Sequence, residues 1–151
     1  MREKQKLRFF YGLDNREVKR YVASASRSDG IFGANLIRMI EQRLDVAIRR
    51  LGFVASMMSA RQAIVHGRIA VNSRTVSSPS YRLKKGDVMG LSPRGKKGAG
   101  DLGNFADRPR ANPPVWLTLD PVARTGTLAA DPEPIEGAMF DVVKIKEFYS
   151  R

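Results

Sequence analysis

The chain has 151 residues, a net charge of +12, one histidine and no cysteine. That length suits one domain or two small ones. Without cysteine there can be no disulfide, no thiolate zinc site and no cysteine nucleophile. A single histidine leaves too few ligands for a metal cage, so we expect neither a metal nor any other cofactor.

The charge is concentrated in the first two-thirds of the chain. Residues 1–100 contain 21 of the 27 Lys and Arg residues but only 7 of the 15 Asp and Glu residues. Such an excess of positive charge predicts a polyanionic partner, most often nucleic acid. No apolar run approaches the ~20 residues of a membrane span, and the N-terminus lacks the apolar stretch of a secretory signal. We therefore expect no membrane partner.

The N-terminal third is predicted to be helical. Residues 1–25 are expected to form two short helices, the second of them capped by Asp14 or Asn15. After a polar loop, Asn35 is expected to cap a long helix over about residues 36–51, because apolar residues recur there at spacings of three and four.

The middle of the chain contains both helix and strand signals. A short helix is predicted over residues 57–66, between an N-cap at Ser56 and a stop at Gly67. The hydrophobic period then changes to two, which predicts a tight hairpin over residues 69–76 and a further strand from Val88 to Leu91.

The last third has the least regular pattern. Residues 93–114 contain four Gly and four Pro, which predicts a flexible connection and not a packed element. Beyond it, residues 115–120 and 141–148 show the alternation of exposed or half-buried strands.

Two Gly-rich segments match nucleotide-binding patterns but lack the context that the chemistry requires. Residues 98–103 follow the dinucleotide-binding pattern, yet no helical period follows to place a helix N-terminus against a pyrophosphate. Residues 90–96 spell most of a phosphate loop, but Lys97 stands where Ser or Thr would hold magnesium. No nucleophile, base or paired carboxylates stand out, so we expect no enzyme activity and no small-molecule substrate.

A basic constellation spans residues 43–85, where a helix, a short helix and a hairpin are closely joined. Lys and Arg neutralise phosphates and release counterions, so a rigid basic face is typical of nucleic-acid binding. Asn72 can hydrogen-bond a base or sugar, and Tyr81 can stack on an exposed base. Two alternatives stay open: Tyr81 can pack against the hairpin, and Arg43 and Asp45 can each pair with neighbours on or near the helix as structure.

The same region is similar in sequence to a known family. The matching phrases are Arg43-Leu44-Asp45, Arg50-Leu51-Gly52-Phe53, Ala60-Arg61-Gln62, His66-Gly67, Val71-Asn72 and Pro79-Ser80-Tyr81-Arg82. Further matching phrases lie outside that region, at Arg2 to Arg8, Tyr11 to Leu13, Trp116 to Asp120 and Glu147 to Arg151. Together they resemble the bacterial-type small-subunit ribosomal protein four family over nearly the whole chain except residues 93–114.

The resemblance implies an α+β fold with a small helical domain and an inserted RNA-binding domain, in which two helices pack on a small antiparallel sheet. We therefore expect the helical domain over residues 1–40, completed by the C-terminal segment, and the core of the RNA-binding domain over residues 41–92. A Gly/Pro-rich linker over residues 93–114 and C-terminal strands with a tail over residues 115–151 are expected to follow.

The resemblance also implies a structural role, in which the protein binds small-subunit ribosomal RNA early in assembly and touches neighbouring small-subunit ribosomal proteins at the messenger-RNA entrance. The expected location is the ribosome. Phrases such as Arg20-Tyr21-Val22 favour a plastid or other bacterial-type organelle, with a bacterial cytoplasm as the alternative.

Charge and matched motifs together predict a set of RNA-binding residues. In the RNA-binding domain they are Arg43, Arg50, Arg61, Gln62, His66, Arg68, Asn72, Arg74, Tyr81, Arg82, Lys84 and Lys85, and in the helical domain Arg2, Lys4, Lys6, Arg8, Lys19 and Arg20. For His66, a local hydrogen bond at the helix end is the competing interpretation.

Departures from the family pattern limit what the resemblance implies. The match begins at Arg2, so we expect this chain to lack the basic N-terminal arm that contains a zinc site in some bacteria. Ser73 stands where the family usually has Gly in the hairpin turn, which introduces strain if both turn positions need positive φ. The linker over residues 93–114 replaces a basic helix, so we expect none of that helix's contacts.

Two other classes of RNA-binding protein share this domain. A free-standing RNA-binding module that acts on ribosomes under stress would lack the outer motifs. An RNA-modifying enzyme such as a pseudouridine synthase would need a separate catalytic domain, for which the 51 residues after position 100 are too few.

Overall fold

The computed structural model describes residues 2–97, 112–134 and 141–150. Within these ranges the elements are α1 (Arg2–Tyr11), α2 (Asn15–Arg27), α3 (Phe32–Glu41), α4 (Leu44–Arg50), α5 (Met57–Val65), β1 (Ile69–Val71), β2 (Arg74–Thr75), β3 (Val88–Leu91), α6 (Pro93–Lys97), β4 (Leu117–Asp120), β5 (Thr125–Leu128) and α7 (Val142–Tyr149). The expected α+β fold is confirmed. None of the described helices is long and apolar enough to cross a membrane.

The chain forms two compact units. The first unit contains the chain up to Glu41 together with the chain from Pro132 onwards, and its described elements are the helices α1, α2, α3 and α7. The second unit, Gln42–Asp131, contains all five strands together with α4, α5 and α6.

In the first unit, α1 and α2 are joined by a short turn with a clear sequence basis. Gly12 has a φ of +64°, a left-handed conformation that suits glycine after a helix end. Asp14 then caps α2: its carboxylate accepts the Glu17 N–H at 2.8 Å, and the Glu17 side chain accepts the Asp14 N–H at 3.3 Å. The two predicted short helices are confirmed, and of the two predicted cap candidates, Asp14 and Asn15, it is Asp14 that caps α2. The apolar sides of these helices, including Leu7 and Val18, are fully buried.

The C-terminal segment is helical, so the strand predicted for residues 141–148 is wrong. Asp141 caps α7 by accepting the Val143 N–H at 3.0 Å. A Cβ added to Gly33 of α3 would lie 2.6 Å from a methyl carbon of Val142, so the backbone of α3 lies close against α7. A helix cap and this packing override the strand preference of the β-branched residues, which is weak and depends on context.

The long helix predicted for residues 36–51 is interrupted, so that prediction is also wrong. Gln42 and Arg43 separate α3 from α4, and Arg43 has an extended backbone. Arg43 forms an isolated antiparallel bridge to Arg82, and the Leu83 N–H donates to the Gln42 carbonyl at 2.8 Å. Hydrogen bonds to a segment distant in sequence therefore replace the local helical bonds at this point.

Asn35 lies inside α3 and not at its start, which corrects the predicted N-cap. Its amide nitrogen donates to the Asp29 carbonyl at 3.1 Å, and its side-chain oxygen accepts from Arg38 at 2.9 Å. The buried side chain thus bonds back to the preceding loop, and the helix begins before it at Phe32.

The five strands form one antiparallel sheet in the order β2-β1-β3-β5-β4. The predicted hairpin over residues 69–76 and the predicted strand from Val88 to Leu91 are confirmed as β1, β2 and β3, and the strand predicted for residues 115–120 is confirmed as β4. The sequence pattern does not predict β5, which lies between β3 and β4 with Gly126 opposite Met89.

The core of the second unit packs one face of this sheet against α4 and α5. Alternate strand residues such as Val71 and Met89 join Ile64 and Leu51 from the helical side, and all four are nearly or fully buried. Gly126 is suited to its position because an added Cβ would overlap the side chain of Leu51. Close packing between sheet and helix therefore fixes which face of α5 remains outside.

Part of the predicted flexible connection is ordered as α6, so the prediction is wrong for residues 93–97. The Ser92 hydroxyl donates to the Gly67 carbonyl at 2.6 Å and accepts the Gly95 N–H at 3.1 Å, which attaches α6 to the turn after α5. Pro93 is suited to the first position of α6, because the N–H that proline lacks would have no partner within the helix at that position. The remainder of the predicted connection up to residue 111, including residues 98–103, lies outside the described residues.

Candidate nucleic-acid interface

The short helix α5 presents three of the predicted RNA-binding residues on its outer side. Ser56 caps its N-terminus as predicted, and Ile64 anchors its apolar side in the core. Gln62 and His66 are exposed, and the Arg61 side chain is 33% exposed. The His66 N–H donates to the Gln62 carbonyl at 2.9 Å, so the backbone of His66 ends the helix while the residue stays accessible.

Arg43 is not on the surface, which corrects its prediction as an RNA-binding residue. It is 3% exposed and forms a bidentate ion pair with Asp45. Its Nε donates to Oδ1 at 3.0 Å, and its Nη2 donates to Oδ2 at 2.9 Å. The planar guanidinium thus holds a buried carboxylate, and of the two roles considered for Arg43 the structural one is observed.

Asp45 is fully buried and accepts two further hydrogen bonds. The Val46 N–H donates to Oδ1 at 2.7 Å, and Arg61 Nε donates to Oδ2 at 3.2 Å. Four donors therefore engage the two carboxylate oxygens, which is the satisfaction that a buried charge requires. Through this carboxylate, Arg61 of α5 is tied to α4.

The loop that precedes the turn at residues 84–87 brings Tyr81 and Arg82 to the beginning of α4. The Leu44 N–H donates to the Tyr81 carbonyl at 3.0 Å, and Arg82 Nε donates to the Gln42 side-chain oxygen at 3.2 Å. Both Tyr81, at 36% exposure, and Arg82 remain on the surface. An aromatic residue and a cation thus lie at the beginning of α4, next to the cluster that Asp45 forms with Arg43 and Arg61.

The hairpin tip is held by side-chain hydrogen bonds. Asn72 and Ser73 both have positive φ, 51° and 68°. The Asn72 amide nitrogen donates to Asp87 at 3.0 Å, and its side-chain oxygen accepts the Val88 N–H at 2.9 Å. Asn72 therefore has a structural role between two turns, and a contact of its amide with RNA stays a prediction.

The remaining predicted cations of the second unit differ in exposure. Arg74, Lys84 and Lys85 are exposed and accessible to a phosphate backbone. Arg50 and Arg68 are half-buried, and Nε of Arg68 is buried without a hydrogen-bond partner in the part of the chain that the structure describes.

In the first unit, two predicted cations are engaged by neighbours on α1. Lys6 Nζ lies 3.2 Å from Glu3 Oε1, and Arg8 Nη1 donates to Gln5 Oε1 at 2.6 Å. The backbone N–H of Asp141, which donates to Glu3 Oε2 at 2.7 Å, and then the ammonium of Lys6 hold the pKa of the Glu3 carboxyl below its usual value.

The other four predicted cations of the first unit are less constrained. Lys4 Nζ lies 4.8 Å from the centroid of the Phe148 ring, a cation–π contact. Arg2, Lys19 and Arg20 are exposed, and no ion pair holds Lys19 or Arg20 among the described residues.

A second set of cations lies on the opposite face of the sheet. A groove of about 290 Å³ there is lined by small residues such as Ala70 and Gly90 and by the side chains of Lys96 and Arg124. Neither Lys96 nor Arg124 is in the set of RNA-binding residues predicted from the sequence. Ser92 followed by Pro93, the first residue of α6, is the signal that could have identified the helix to which Lys96 belongs.

Two family models match adjoining parts of the chain. The model described as the ribosomal protein S4/S9 N-terminal domain matches residues 1–41, and the model described as the S4 domain matches residues 42–89. The small ribosomal subunit protein uS4A of Symbiobacterium thermophilum is 41% identical over 155 aligned positions, which cover all of this chain and 73% of that protein. The chain belongs to the ribosomal protein S4 family.

Other relatives in the S4 family agree with this assignment. The small ribosomal subunit protein uS4 of Chromobacterium violaceum is 36% identical over 152 positions, covering all of this chain and 74% of that protein. The uS4 protein of Desulfitobacterium hafniense is 39% identical over 133 positions, or 88% of this chain, and the match spans 64% of that protein's length. The resemblance stated from the sequence motifs is therefore confirmed.

The position of the S4 domain agrees with the structural division of the chain. The domain match begins at Gln42, the same residue at which the second unit begins. The most consequential residue missed in this domain is Asp45, for which the sequence suggested only a pairing with neighbours on or near the helix. An acidic residue within a strongly basic stretch is a signal that could have marked it as an organising group.

Proposed function

We propose that this protein is a structural constituent of the small ribosomal subunit, which binds small-subunit ribosomal RNA and catalyses no reaction. The observation on which the proposal depends is the order of its matched domains. A ribosomal N-terminal domain over residues 1–41 is followed directly by an S4 domain over residues 42–89. The relatives that match this whole chain are small ribosomal subunit proteins by name.

The RNA surface that we propose lies on the second unit, around α5 and the loop before the turn at residues 84–87. It consists of Arg61, Gln62, His66, Tyr81, Arg82, Lys84 and Lys85. Arg61 and Arg82 are each held by a hydrogen bond from Nε to a buried residue, Asp45 and Gln42 respectively. Side chains that are ordered before binding lose less conformational entropy when they contact a phosphate.

Exposed cations of the first unit are proposed to add a less specific attraction. Lys19 and Arg20 lie on the polar side of α2, whose apolar side is buried at Val18 and Val22. Charges of this kind neutralise phosphates wherever the backbone approaches, so they contribute affinity that depends on salt more than on RNA structure.

The alternative function is a free-standing RNA-binding module that acts on ribosomes under stress. Such a module has no need of a ribosomal N-terminal domain, so the match over residues 1–41 supports the ribosomal constituent. Contacts with neighbouring small-subunit proteins at the messenger-RNA entrance are part of the proposal. So is a place on a bacterial-type ribosome, for which the named bacterial relatives are the support. The proposal extends to a location on plastid ribosomes, in which case the protein should sediment with the small ribosomal subunits of purified plastids.

The direct test is filter binding of the purified chain to transcribed bacterial small-subunit ribosomal RNA over a series of salt concentrations. If about five phosphates are neutralised, the logarithm of the binding constant should fall with the logarithm of salt concentration with a slope of roughly −3 to −5. An affinity independent of salt, or equal affinity for an unrelated RNA of the same length, would contradict the proposal.

Arg124→Ala is a matched control in the same unit. Arg124 lines the groove on the sheet face opposite the core, away from α5, and the substitution also removes one positive charge. We expect it to change the affinity for RNA less than Arg61→Ala does. In cells, the protein should sediment with small ribosomal subunits, whereas a free-standing module should be found mostly in the unbound fraction.

A further inference from the structure

A fully buried carboxylate lies directly beneath the proposed RNA surface. Asp45 has no exposed area, yet it belongs to a region whose partner is expected to be a polyanion. It is also the group through which α5 is tied to α4, because Arg61 Nε donates to it at 3.2 Å. A negative charge in this place opposes an RNA backbone on electrostatic grounds alone.

The charges within this cluster do not cancel. Arg43 already forms a bidentate pair with Asp45, at 3.0 and 2.9 Å, and is itself 3% exposed. Arg61 adds a second guanidinium to the same carboxylate, so the three side chains together have a net charge of +1. Of the two arginines, Arg61 is the one whose side chain stays 33% exposed.

The geometry fixes the orientation of Arg61. Its Nε is bonded to Asp45, and its Nη2 is buried without a hydrogen-bond partner among the residues described by the structure. The guanidinium is planar, so fixing Nε and burying one terminal nitrogen sets the direction of the whole fork. The ammonium of a lysine at this position would not be held in one direction, because its side chain is flexible and its charge is not planar.

We propose that Asp45 is a positioning residue for RNA binding, which holds the guanidinium of Arg61 in the orientation that meets an RNA phosphate. The inference rests on the proposed function and concerns how one contact of the RNA surface is made. Asp45 itself does not touch RNA, because it is buried and its two oxygens are occupied by four donors.

The proposal predicts an effect with a sign opposite to that of simple electrostatics. Asp45→Asn removes a negative charge, so diffuse attraction predicts tighter RNA binding and a steeper dependence on salt. If Asp45 positions Arg61, the same substitution should weaken binding about tenfold, as expected for the loss of one charge-assisted contact. The salt slope should become shallower by about one phosphate contact.

The experiment is a double-mutant cycle with the full chain and transcribed bacterial small-subunit ribosomal RNA. Affinity and salt slope are measured for the wild type, Asp45→Asn, Arg61→Ala and the double variant, at a temperature where circular dichroism shows each to be folded. We expect Asp45→Asn to weaken binding in the wild-type background and to have less than about a twofold further effect when Arg61 is already alanine.

Two variants keep the test decisive. Asp120→Asn removes a carboxylate from the same unit while keeping an oxygen for the hydrogen bonds that Asp120 accepts from Val122 and Ala123, so it reports the diffuse effect of charge alone. Arg61→Lys serves where Asp45→Asn is not folded. This substitution keeps the positive charge but replaces the planar guanidinium by an ammonium, so it should lose most of the RNA affinity that Arg61→Ala loses.

The outcomes separate this inference from the proposed function. Unchanged or tighter binding by folded Asp45→Asn, an equal loss in both backgrounds, or full affinity of Arg61→Lys would each overturn the positioning role while RNA binding itself stands. Absence of RNA binding by the wild type would overturn the proposed function, and the positioning role with it.

Discussion

Cations on α2 and cations around α5 look alike in the sequence, but the structure holds them differently. Lys19 and Arg20 project from α2 without an ion pair among the described residues. Arg61 and Arg82 are fixed by hydrogen bonds to Asp45 and Gln42, both of which are buried. A count of positive charges therefore predicts that a surface attracts RNA, whereas the buried polar residues decide which charges are set in a fixed direction.

The largest expected effect comes from removing Arg43, the arginine that pairs with the buried carboxylate of Asp45. Arg43→Met leaves Asp45 buried without its bidentate partner, so we expect the free energy of unfolding to fall by about 3–5 kcal/mol. Chemical denaturation of the variant and the wild type measures this difference. A loss below about 1 kcal/mol would mean that the cluster contributes no more than an exposed ion pair.

A smaller loss of stability is expected from the core beneath the same helix. Ile64→Ala removes a fully buried side chain and leaves a cavity, which should lower stability by about 2–4 kcal/mol. RNA affinity should be unchanged at temperatures where the variant is folded, because Ile64 lies on the inner side of α5. A large loss of affinity in the folded variant would show that core and RNA surface cannot be separated in this helix.

The comparison of the two regions is tested most directly by a matched pair of substitutions. Arg61→Ala should weaken RNA binding by about 1–2 kcal/mol, and Lys19→Ala by no more than about 0.5 kcal/mol, since only Arg61 is held in place. Filter binding in one buffer measures both. Equal losses would show that diffuse charge accounts for the attraction.

Arg61→Ala should also lower the stability of the free protein, by about 1 kcal/mol, because Asp45 loses one of its four donors. If only the position of Arg61 away from the apolar side of α5 mattered, the substitution would cause almost no change in stability. Thermal unfolding distinguishes these two expectations.

A gain in stability is expected at the hairpin tip, which lies outside both groups of cations. Ser73 has a φ of +68°, and glycine adopts this conformation without steric cost. Ser73→Gly should therefore stabilise the protein by up to about 1 kcal/mol, with RNA affinity unchanged. A decrease in melting temperature would indicate that Ser73 makes a compensating interaction at the tip.

The smallest effect concerns the attachment of α7 in the first unit. The Asp141 N–H and the Lys6 ammonium hold the pKa of the Glu3 carboxyl below its ordinary value, so the contribution of Glu3 to stability is fully present above that ordinary value and is lost as the pH falls through the lower pKa of the folded state. The chemical shift of the Asp141 amide should report this loss. Glu3→Gln, which keeps an acceptor but does not titrate, should remove the pH dependence, and an unchanged titration would exclude Glu3 as its source.

Local signals in the sequence were sufficient where a single residue determines a local structure. Ser56 and the glycine after α5 were identified correctly, and Asp14 was one of two cap candidates, because each of these residues satisfies or ends a helix through bonds to its own neighbours. The hairpin over residues 69–76 was predicted in the same way, from the two-residue hydrophobic period and the turn at Asn72 and Ser73.

The errors occurred where distant segments decide the structure. Arg43 is extended because it bridges to Arg82, and α7 is helical because a cap and the contact of Val142 with Gly33 favour it over a strand. The same limit applied to the candidate site: exposed cations could be selected by charge, but a pairing between α4 and α5 through Asp45 depends on packing that no local spacing encodes.

The hydrogen bonds of Asn72 and Asp87 link two turns that are separate in sequence. The Asn72 N–H donates to the Val88 carbonyl at 2.8 Å, the Asn72 side chain bonds Val88 and Asp87, and Asp87 accepts the Lys84 N–H at 2.8 Å. Breaking any one of these bonds weakens the others, so the amide protons of Asn72, Lys84 and Val88 should exchange with solvent at similar rates, as one cooperative opening. The hairpin tip and the lysine-bearing turn would then reach any RNA as a single rigid body.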